Sequence, residues 1–163
     1  MQSYRVKVVE LPWKNEGMES KVEASRPTLE SLIGKTVTVE EVVSPEMTAR
    51  TVGSGGLDVL STPSMILMME RAAYECLLDG LGPDQTSVGT KVEITHEAPS
   101  PVGALVSATA TIEQVFGRRI EFAVSASEGT RVIGKGKHTR FVVDLPQFLQ
   151  KAGLARTEDT EHP

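Results

Sequence analysis

One segment constrains the fold more than any other. Residues 61–80, STPSMILMMERAAYECLLDG, have the pattern of a helix that is apolar on almost every side. Thr62 and Pro63 suit its start, because threonine is a good N-cap and proline fits the first helical position, and Gly80 suits its end. A helix with so few polar positions is stable in water only when other elements cover it. The chain therefore needs a second layer that can wrap around this helix.

The second half of the chain supplies that layer. Short turns at 99–103, 117–118 and 128–129 separate four alternating, β-branched segments: TSVGTKVEITHEAP, ALVSATATIEQVF, RIEFAVSAS and TRVIGKGKHTRFVVD. Short turns make consecutive strands antiparallel neighbours. Before the helix, KTVTVEEVV and MTARTVG also have strand character, with a break at Ser44-Pro45. We therefore expect an α+β fold in which a curved antiparallel sheet wraps around one long central α-helix.

The chain has 163 residues, which is the length of one domain. Residues 1–27 have the composition of an N-terminal extension, with one short strand over 4–10 followed by a linker broken by Pro12, Gly17 and Pro27. The folded domain is expected over 28–149. Residues 150–163 are expected to form a C-terminal tail. LPQFLQKAGLA (145–155) predicts a short closing helix that overlaps the start of this tail.

Charge and cysteine content exclude several classes of function. The net charge of −5 gives no global basic field for nucleic acid or an anionic membrane. Cys76 is the single cysteine, so no internal disulfide can form, and no Cys/His cluster has the spacing of a metal site. The N-terminus has no apolar signal-peptide centre, and the longest apolar run, Met65 to Met69, is too short to span a bilayer. These features predict a cytoplasmic protein without a metal or a resident cofactor.

Glu70 is the exceptional residue of the apolar helix. On a 3.6-residue period it shares a face with Ile66, Ala73 and Leu77, which are residues typical of a core. A carboxylate buried without a partner costs several kcal/mol, so a partner or a chemical use is expected. The alternative is a weakly polar stripe on the helix, along which Glu70 faces water.

His96 ends the first strand after the helix. Strict alternation places it on the same face as the apolar Val92 and Ile94, and therefore towards the helix, with Gly89 on the opposite face. A histidine there is either a satisfied core residue or an acid–base group. Gly89 within a strand either marks a bulge or leaves the backbone open to close approach by a ligand.

These positions together resemble a known family. The spacing of four residues is similar to the pattern of the thioesterases related to fluoroacetyl-CoA thioesterase. Glu70 follows Thr62 by eight residues, Gly89 follows nineteen residues later, and His96 seven residues after that. THEAPSPVG (95–103) resembles the family's histidine-containing strand end, and GKGKHTRFVV (134–143) resembles its last strand. The resemblance covers about residues 28–149. It implies the hotdog fold and a homodimer or dimer of dimers that hydrolyses acyl-CoA thioesters at its dimer interface, with CoA present only as part of the substrate.

The resemblance also implies roles for individual residues. Glu70 either attacks the thioester carbonyl or activates water, Thr62 orients the reacting groups, and His96 transfers protons. The Gly89 amide is the expected donor to the thioester oxygen. Phosphate groups of CoA call for basic residues at the entrance, and Arg140 is favoured over Arg118, Arg119, Lys135 and Lys137.

The acyl group is left open. The resemblance implies that fluoroacetyl-CoA-selective members of the family have a site covered by aromatic residues, whereas TVGSGGLDVLS (51–61) contains none. The main alternative function is a non-catalytic acyl-CoA or small-acid binding protein on the same fold. An enoyl-CoA hydratase is less consistent with the sequence, since the Asp, Asn/Pro and His cluster of such sites is missing. A third alternative is a structural β-protein that dimerises without chemistry.

Overall fold

The structure is a computed structural model that describes residues 26–154. The strand expected over 4–10 lies outside the described residues. The elements follow in chain order: β1 Thr36–Val42, α1 Ala49–Val52, α2 Thr62–Leu77, β2 Gln85–His96, β3 Leu105–Phe116, β4 Arg119–Glu128, β5 Arg131–Asp144 and α3 Leu145–Lys151. Three 3-10 turns, Glu30–Leu32, Pro45–Met47 and Leu78–Gly80, complete them. No helix among the described residues is long and apolar enough to cross a membrane.

The five strands form one antiparallel sheet in the order β1-β3-β4-β5-β2. The consecutive strands β3, β4 and β5 are joined by tight turns and pair as expected. The expectation that β2 would pair with β3 was wrong, because β2 pairs with β5 and forms the far edge of the sheet. The connection 97–104 is too long for a tight turn and is held across the end of the sheet by backbone bonds from Gly103 to Val43 and from Leu60 to Ser100.

Helix α2 packs across the concave face of this sheet, as predicted. Its buried residues are Met65, Met68, Met69, Ala72, Ala73, Cys76 and Leu77. They meet the inward side chains of β3 and β4, which include Val106, Ile112, Ile120 and Phe122. Burying each large apolar side chain contributes about 1.5–3 kcal/mol, so this one interface supplies most of the core.

The segment MTARTVG forms a short helix, so the strand predicted there was wrong. Thr48 accepts a hydrogen bond from the backbone amide of Thr51, which caps the helix at its start. Gly53 ends it in the left-handed conformation, with φ 78°. Local capping therefore outweighs the β-branched composition of Thr51 and Val52. The closing helix predicted after Asp144 is present as α3.

Candidate active site

Thr62 and His96 meet at one end of the central helix. The Thr62 hydroxyl oxygen lies 2.9 Å from Nδ1 of His96, which joins the first turn of α2 to the last residue of β2. Their approach is close because Gly134 pairs with His96 across the sheet and lets Met65 pack directly against the β5 backbone. The prediction that His96 faces the helix is confirmed.

The helix cap differs from the prediction. Ser61 is the N-cap, and its hydroxyl accepts a hydrogen bond from the amide of Ser64 at 3.1 Å. Thr62 is already the first helical residue, so its side chain is not needed to satisfy the helix end. Its hydroxyl is instead directed to His96.

The second nitrogen of His96 has no partner in the part of the chain that the structure describes. Nε2 is buried and makes no hydrogen bond within residues 26–154. A cavity of about 200 Å³ adjoins His96 and is lined by Val59, Leu60, His96 and 97–99. A buried polar atom left unpaired costs about 1–3 kcal/mol, so Nε2 is poised for a group that this part of the chain does not supply.

Glu70 lies two turns further along α2, away from this pair. Its side chain is 35% exposed, so it sits at the border of the core instead of inside it. Eight residues of helix separate it from Thr62 by about 12 Å along the axis. Within one chain Glu70 therefore does not join Thr62 and His96, and the site expected at a dimer interface stays a prediction.

Gly89 makes room for the Glu70 carboxylate. A Cβ atom at Gly89 would collide with Oε1 of Glu70 and would lie 3.1 Å from the His138 ring. Strict alternation placed Gly89 on the face opposite His96, and this was wrong. The pairing of β2 with β5 shifts by one residue between Gly89 and Lys91, so Gly89 stands opposite the inward-facing Arg140. The bulge was one of the two alternatives that the sequence left open.

Arg140 is buried beneath this site instead of lying at an entrance for CoA phosphates. Its Nε and Nη2 donate to the hydroxyl and carbonyl oxygens of Ser87, at 2.9 and 2.8 Å. Nη1 donates to the backbone carbonyl of Glu70 at 3.5 Å, and the guanidinium lies over the Tyr74 ring. Burial lowers the pKa of Arg140, while Glu70 and Tyr74 oppose the shift. Arg140 is therefore a core residue whose hydrogen-bond donors contact Ser87 and the backbone of Glu70.

The other basic residues considered for CoA are largely paired on the outer face of the sheet. Arg119, Lys135 and Lys137 lie within salt-bridge distance of Glu121, Glu97 and Glu113, respectively. Exposed pairs of this kind contribute little to stability and keep each cation partly neutralised. They do not converge on Glu70 or His96.

His138 is a site residue that the sequence reasoning missed. Its Nε2 lies 3.6 Å from Oε1 of Glu70 and 3.3 Å from Nη1 of Arg140. Burial, with a smaller contribution from Arg140, lowers the pKa of His138, against the opposing effects of the Lys91 carbonyl and Glu70. The ring is therefore neutral near pH 7, and its contact with Glu70 is not an ion pair. The available signal was its position two residues before Arg140, which puts both side chains on one face of β5.

No group of three or more His, Cys, Asp or Glu residues within 26–154 is arranged to hold a metal ion. The polar groups of the described site are a carboxylate, a hydroxyl, two imidazoles and a guanidinium. They form two half-sites. We call Thr62 and His96 the strand-end half-site, and Glu70, Gly89, His138 and Arg140 the mid-helix half-site.

Comparison with known proteins places this geometry in context. The sequence profile of a family described as fluoroacetyl-CoA-specific thioesterase matches residues 43–145. The fluoroacetyl-CoA thioesterase of Streptantibioticus cattleyicolor is 34% identical over 125 residues, which cover 73% of this chain and 90% of that protein.

Solved structures agree with this match. A fluoroacetyl-CoA thioesterase variant in complex with acetyl-CoA is 33% identical, with a TM-score of 0.71 over 74% of this chain and 96% of that one. A hot-dog-like protein from Thermanaerovibrio acidaminovorans is 24% identical, with a TM-score of 0.70 over 76% of this chain and 93% of that one, and supports the fold.

Proposed function

Because the chain belongs to the fluoroacetyl-CoA-specific thioesterase family and is a thioester hydrolase of the hotdog fold, we propose that it cleaves its acyl-CoA substrate at a site shared by two copies of the chain. In each site, Glu70 of one protomer works with Thr62 and His96 of the other. The relatives are thioesterases, which favours an enzyme over the non-catalytic binding protein.

The observation that carries the proposal is the unpartnered Nε2 of His96. Thr62 engages Nδ1, so when its hydroxyl donates there, Nε2 bears the proton. A buried N–H with no acceptor among residues 26–154 calls for one from elsewhere. The thioester sulfur and a carboxylate from a second protomer both have the required chemistry.

The distances within one chain support a shared site. Glu70 is about 12 Å from Thr62 along α2, and Gly89 is about 20 Å from His96 along β2. A thioester carbonyl and its attacking oxygen occupy only about 3 Å. One bound thioester therefore cannot touch both half-sites of the same protomer.

The edge strand β2 offers a way to join the half-sites of two protomers. It is 12 residues long and, as the last strand of the sheet, has one hydrogen-bonding side unpaired by the described residues. Such an edge favours pairing with a second chain, and a twofold axis makes two β2 strands antiparallel. When the bulge at Thr90 is counted as one position with Lys91, an axis beside Glu93 sets Gly89 opposite His96 of the partner subunit, and both face the helix side.

The chemistry then divides between the half-sites. Glu70 either attacks the thioester carbon, giving an acyl-enzyme anhydride that water later hydrolyses, or removes a proton from the attacking water. His96 of the partner subunit gives its Nε2 proton to the sulfur as the C–S bond breaks, so that CoA leaves as the thiol. The Gly89 amide is the proposed donor to the carbonyl oxygen. The products are the free acid and CoA.

Release of free thiol from a panel of short, branched and aromatic acyl-CoAs tests the proposal. The variants are Glu70→Gln and, as a matched control on the same helix, Glu75→Gln, whose side chain pairs with Arg71 at the surface. Hydrolysis by wild type and by Glu75→Gln, with a loss of about 100-fold or more in Glu70→Gln, is expected. Equal rates in both variants would remove Glu70 from the mechanism. The panel also identifies the acyl class, which the sequence leaves open because the 51–61 segment contains no aromatic residue.

A further inference from the structure

His138 connects three parts of the mid-helix half-site. It is 2% exposed and lies on β5 directly below the Glu70 carboxylate, with its ring stacked on Phe122 at 6.1 Å between centroids. One ring nitrogen contacts the β2 backbone, and the other faces Arg140 and Glu70. No other described residue makes all of these contacts.

The contacts of the ring determine its tautomer. Nδ1 lies 2.9 Å from the carbonyl oxygen of Lys91, and because a carbonyl only accepts, Nδ1 carries the proton. Nε2 of the neutral ring then has a lone pair, which accepts from Nη1 of Arg140 at 3.3 Å. Neutral His138 cannot donate to Glu70, so it does not hold the carboxylate by a direct hydrogen bond.

The Lys91 carbonyl that His138 binds belongs to the bulge of β2. Thr90 is the extra residue there, and its hydroxyl donates to the carbonyl of Thr139 at 3.2 Å. Two side-chain hydrogen bonds thus tie the bulge to β5. The bulge turns Gly89 towards the helix, where its missing side chain leaves space for Oε1 of Glu70.

From this geometry, and resting on the function proposed above, we propose that His138 is a positioning residue of the thioesterase. Its Nδ1–H anchors the Thr90 bulge through the Lys91 carbonyl, and this keeps Gly89 turned towards Glu70. His138 acts through the backbone of β2 and touches neither the thioester nor the attacking water.

Three substitutions separate the two sides of the ring. Asparagine puts an amide donor close to the position of Nδ1, glutamine puts its amide near Nε2, and leucine supplies neither. We expect kcat to fall about 10- to 100-fold in His138→Leu and His138→Gln, and to stay within about 5-fold of wild type in His138→Asn, with KM nearly constant in all three. Ile112→Val on β3 is the control for a general loss of core packing.

Recovery of kcat in His138→Asn, at a thermal stability no higher than that of His138→Leu, would separate positioning from packing. Wild-type kcat in His138→Leu would overturn the inference. Equal loss in His138→Asn and His138→Leu would also overturn it, because the Nδ1 donor would then be irrelevant.

Amide NMR signals of Gly89 and Lys91 provide a readout that does not depend on turnover. They are expected to shift in His138→Leu and to return towards their wild-type positions in His138→Asn, while Ile112→Val leaves them unchanged. Unshifted signals in His138→Leu would overturn the inference even if wild type hydrolyses no member of the panel. Inactive wild type with the expected shifts would contradict the proposed function alone.

Discussion

The Thr62 hydroxyl oxygen and Nδ1 of His96 are 2.9 Å apart, and this bond links the start of the central helix to the end of the edge strand. It leaves Nε2 of the same ring buried and unpaired among residues 26–154. In the function proposed above, this pair forms half of a catalytic arrangement. The other half, around Glu70, is separated from it along the helix.

Removal of the Thr62 hydroxyl tests the orientation of His96. Thr62→Val keeps the shape of the side chain but loses the hydrogen bond, and we expect kcat to fall about 10- to 100-fold, the equivalent of about 1.5–3 kcal/mol. Thr62→Ser keeps the hydroxyl and should remain within a few-fold of wild type. Because Ser61 caps the helix, urea unfolding of Thr62→Val should change by less than about 1 kcal/mol. A larger loss of stability would show that Thr62 has a capping role after all.

His96→Asn isolates the role of Nε2. The asparagine amide can still contact Thr62, but nothing remains at the position of Nε2. We expect turnover to fall about 10²- to 10⁴-fold, the usual contribution of a general acid or base. Stability should stay equal or rise slightly, because the variant removes a buried atom that lacks a partner. Loss of activity together with unfolding, measured by circular dichroism, would argue instead for a structural histidine.

Gly89→Ala tests the space beneath the Glu70 carboxylate. The added methyl would collide with Oε1, so we expect a loss of about 1–3 kcal/mol in unfolding free energy and a fall in kcat of at least about 10-fold. In the Glu70→Ala background most of the stability loss should disappear, since one of the two colliding groups is gone. A double-mutant cycle measures this coupling. No coupling between the two positions would mean that the clash is relieved elsewhere.

Mixed dimers test whether each site draws on two protomers. Glu70→Gln and His96→Asn chains are each expected to be inactive. When equal amounts are unfolded together and refolded, half of the dimers contain one chain of each kind, and one of their two sites has both residues intact. The mixture should recover about a quarter of wild-type activity. Refolding each variant alone is the control, and no recovery in the mixture would place all three residues within one chain's site.

The lowered pKa of buried His138 predicts a pH dependence of stability. The unfolded chain takes up a proton at this histidine near pH 6.5, whereas the native ring resists protonation. The unfolded state therefore binds more protons below that pH, and stability falls as pH drops from about 6.5 towards the native pKa. Urea unfolding between pH 5 and 7.5 should show this slope in wild type and a flatter one in His138→Asn. Identical slopes would mean that native His138 protonates as readily as it does in the unfolded chain.

Much of the fold followed from patterns that are local in the chain. The apolar helix over 61–80, the three strands joined by tight turns and the helix after Asp144 are all present, because periodicity and turn residues act over a few positions. The choice of family also came from the sequence, through the spacing of Thr62, Glu70, Gly89 and His96, and the comparisons confirm it.

Features that depend on contacts between distant segments were decided only by the tertiary structure. The order of β2 beside β5 depends on how the connection 97–104 crosses the sheet, and no short-range pattern encodes it. A single extra residue at Thr90 reverses the face of Gly89, and alternation cannot reveal such a shift. Burial of His138 and Arg140 beside Glu70 likewise results from the packing of β5 against α2. The sequence thus determined the central helix, the strands and the family. Packing decided which residues meet, because β2 brings His96 to Thr62 and β5 brings His138 and Arg140 to Glu70, across distances in the chain over which no local pattern acts.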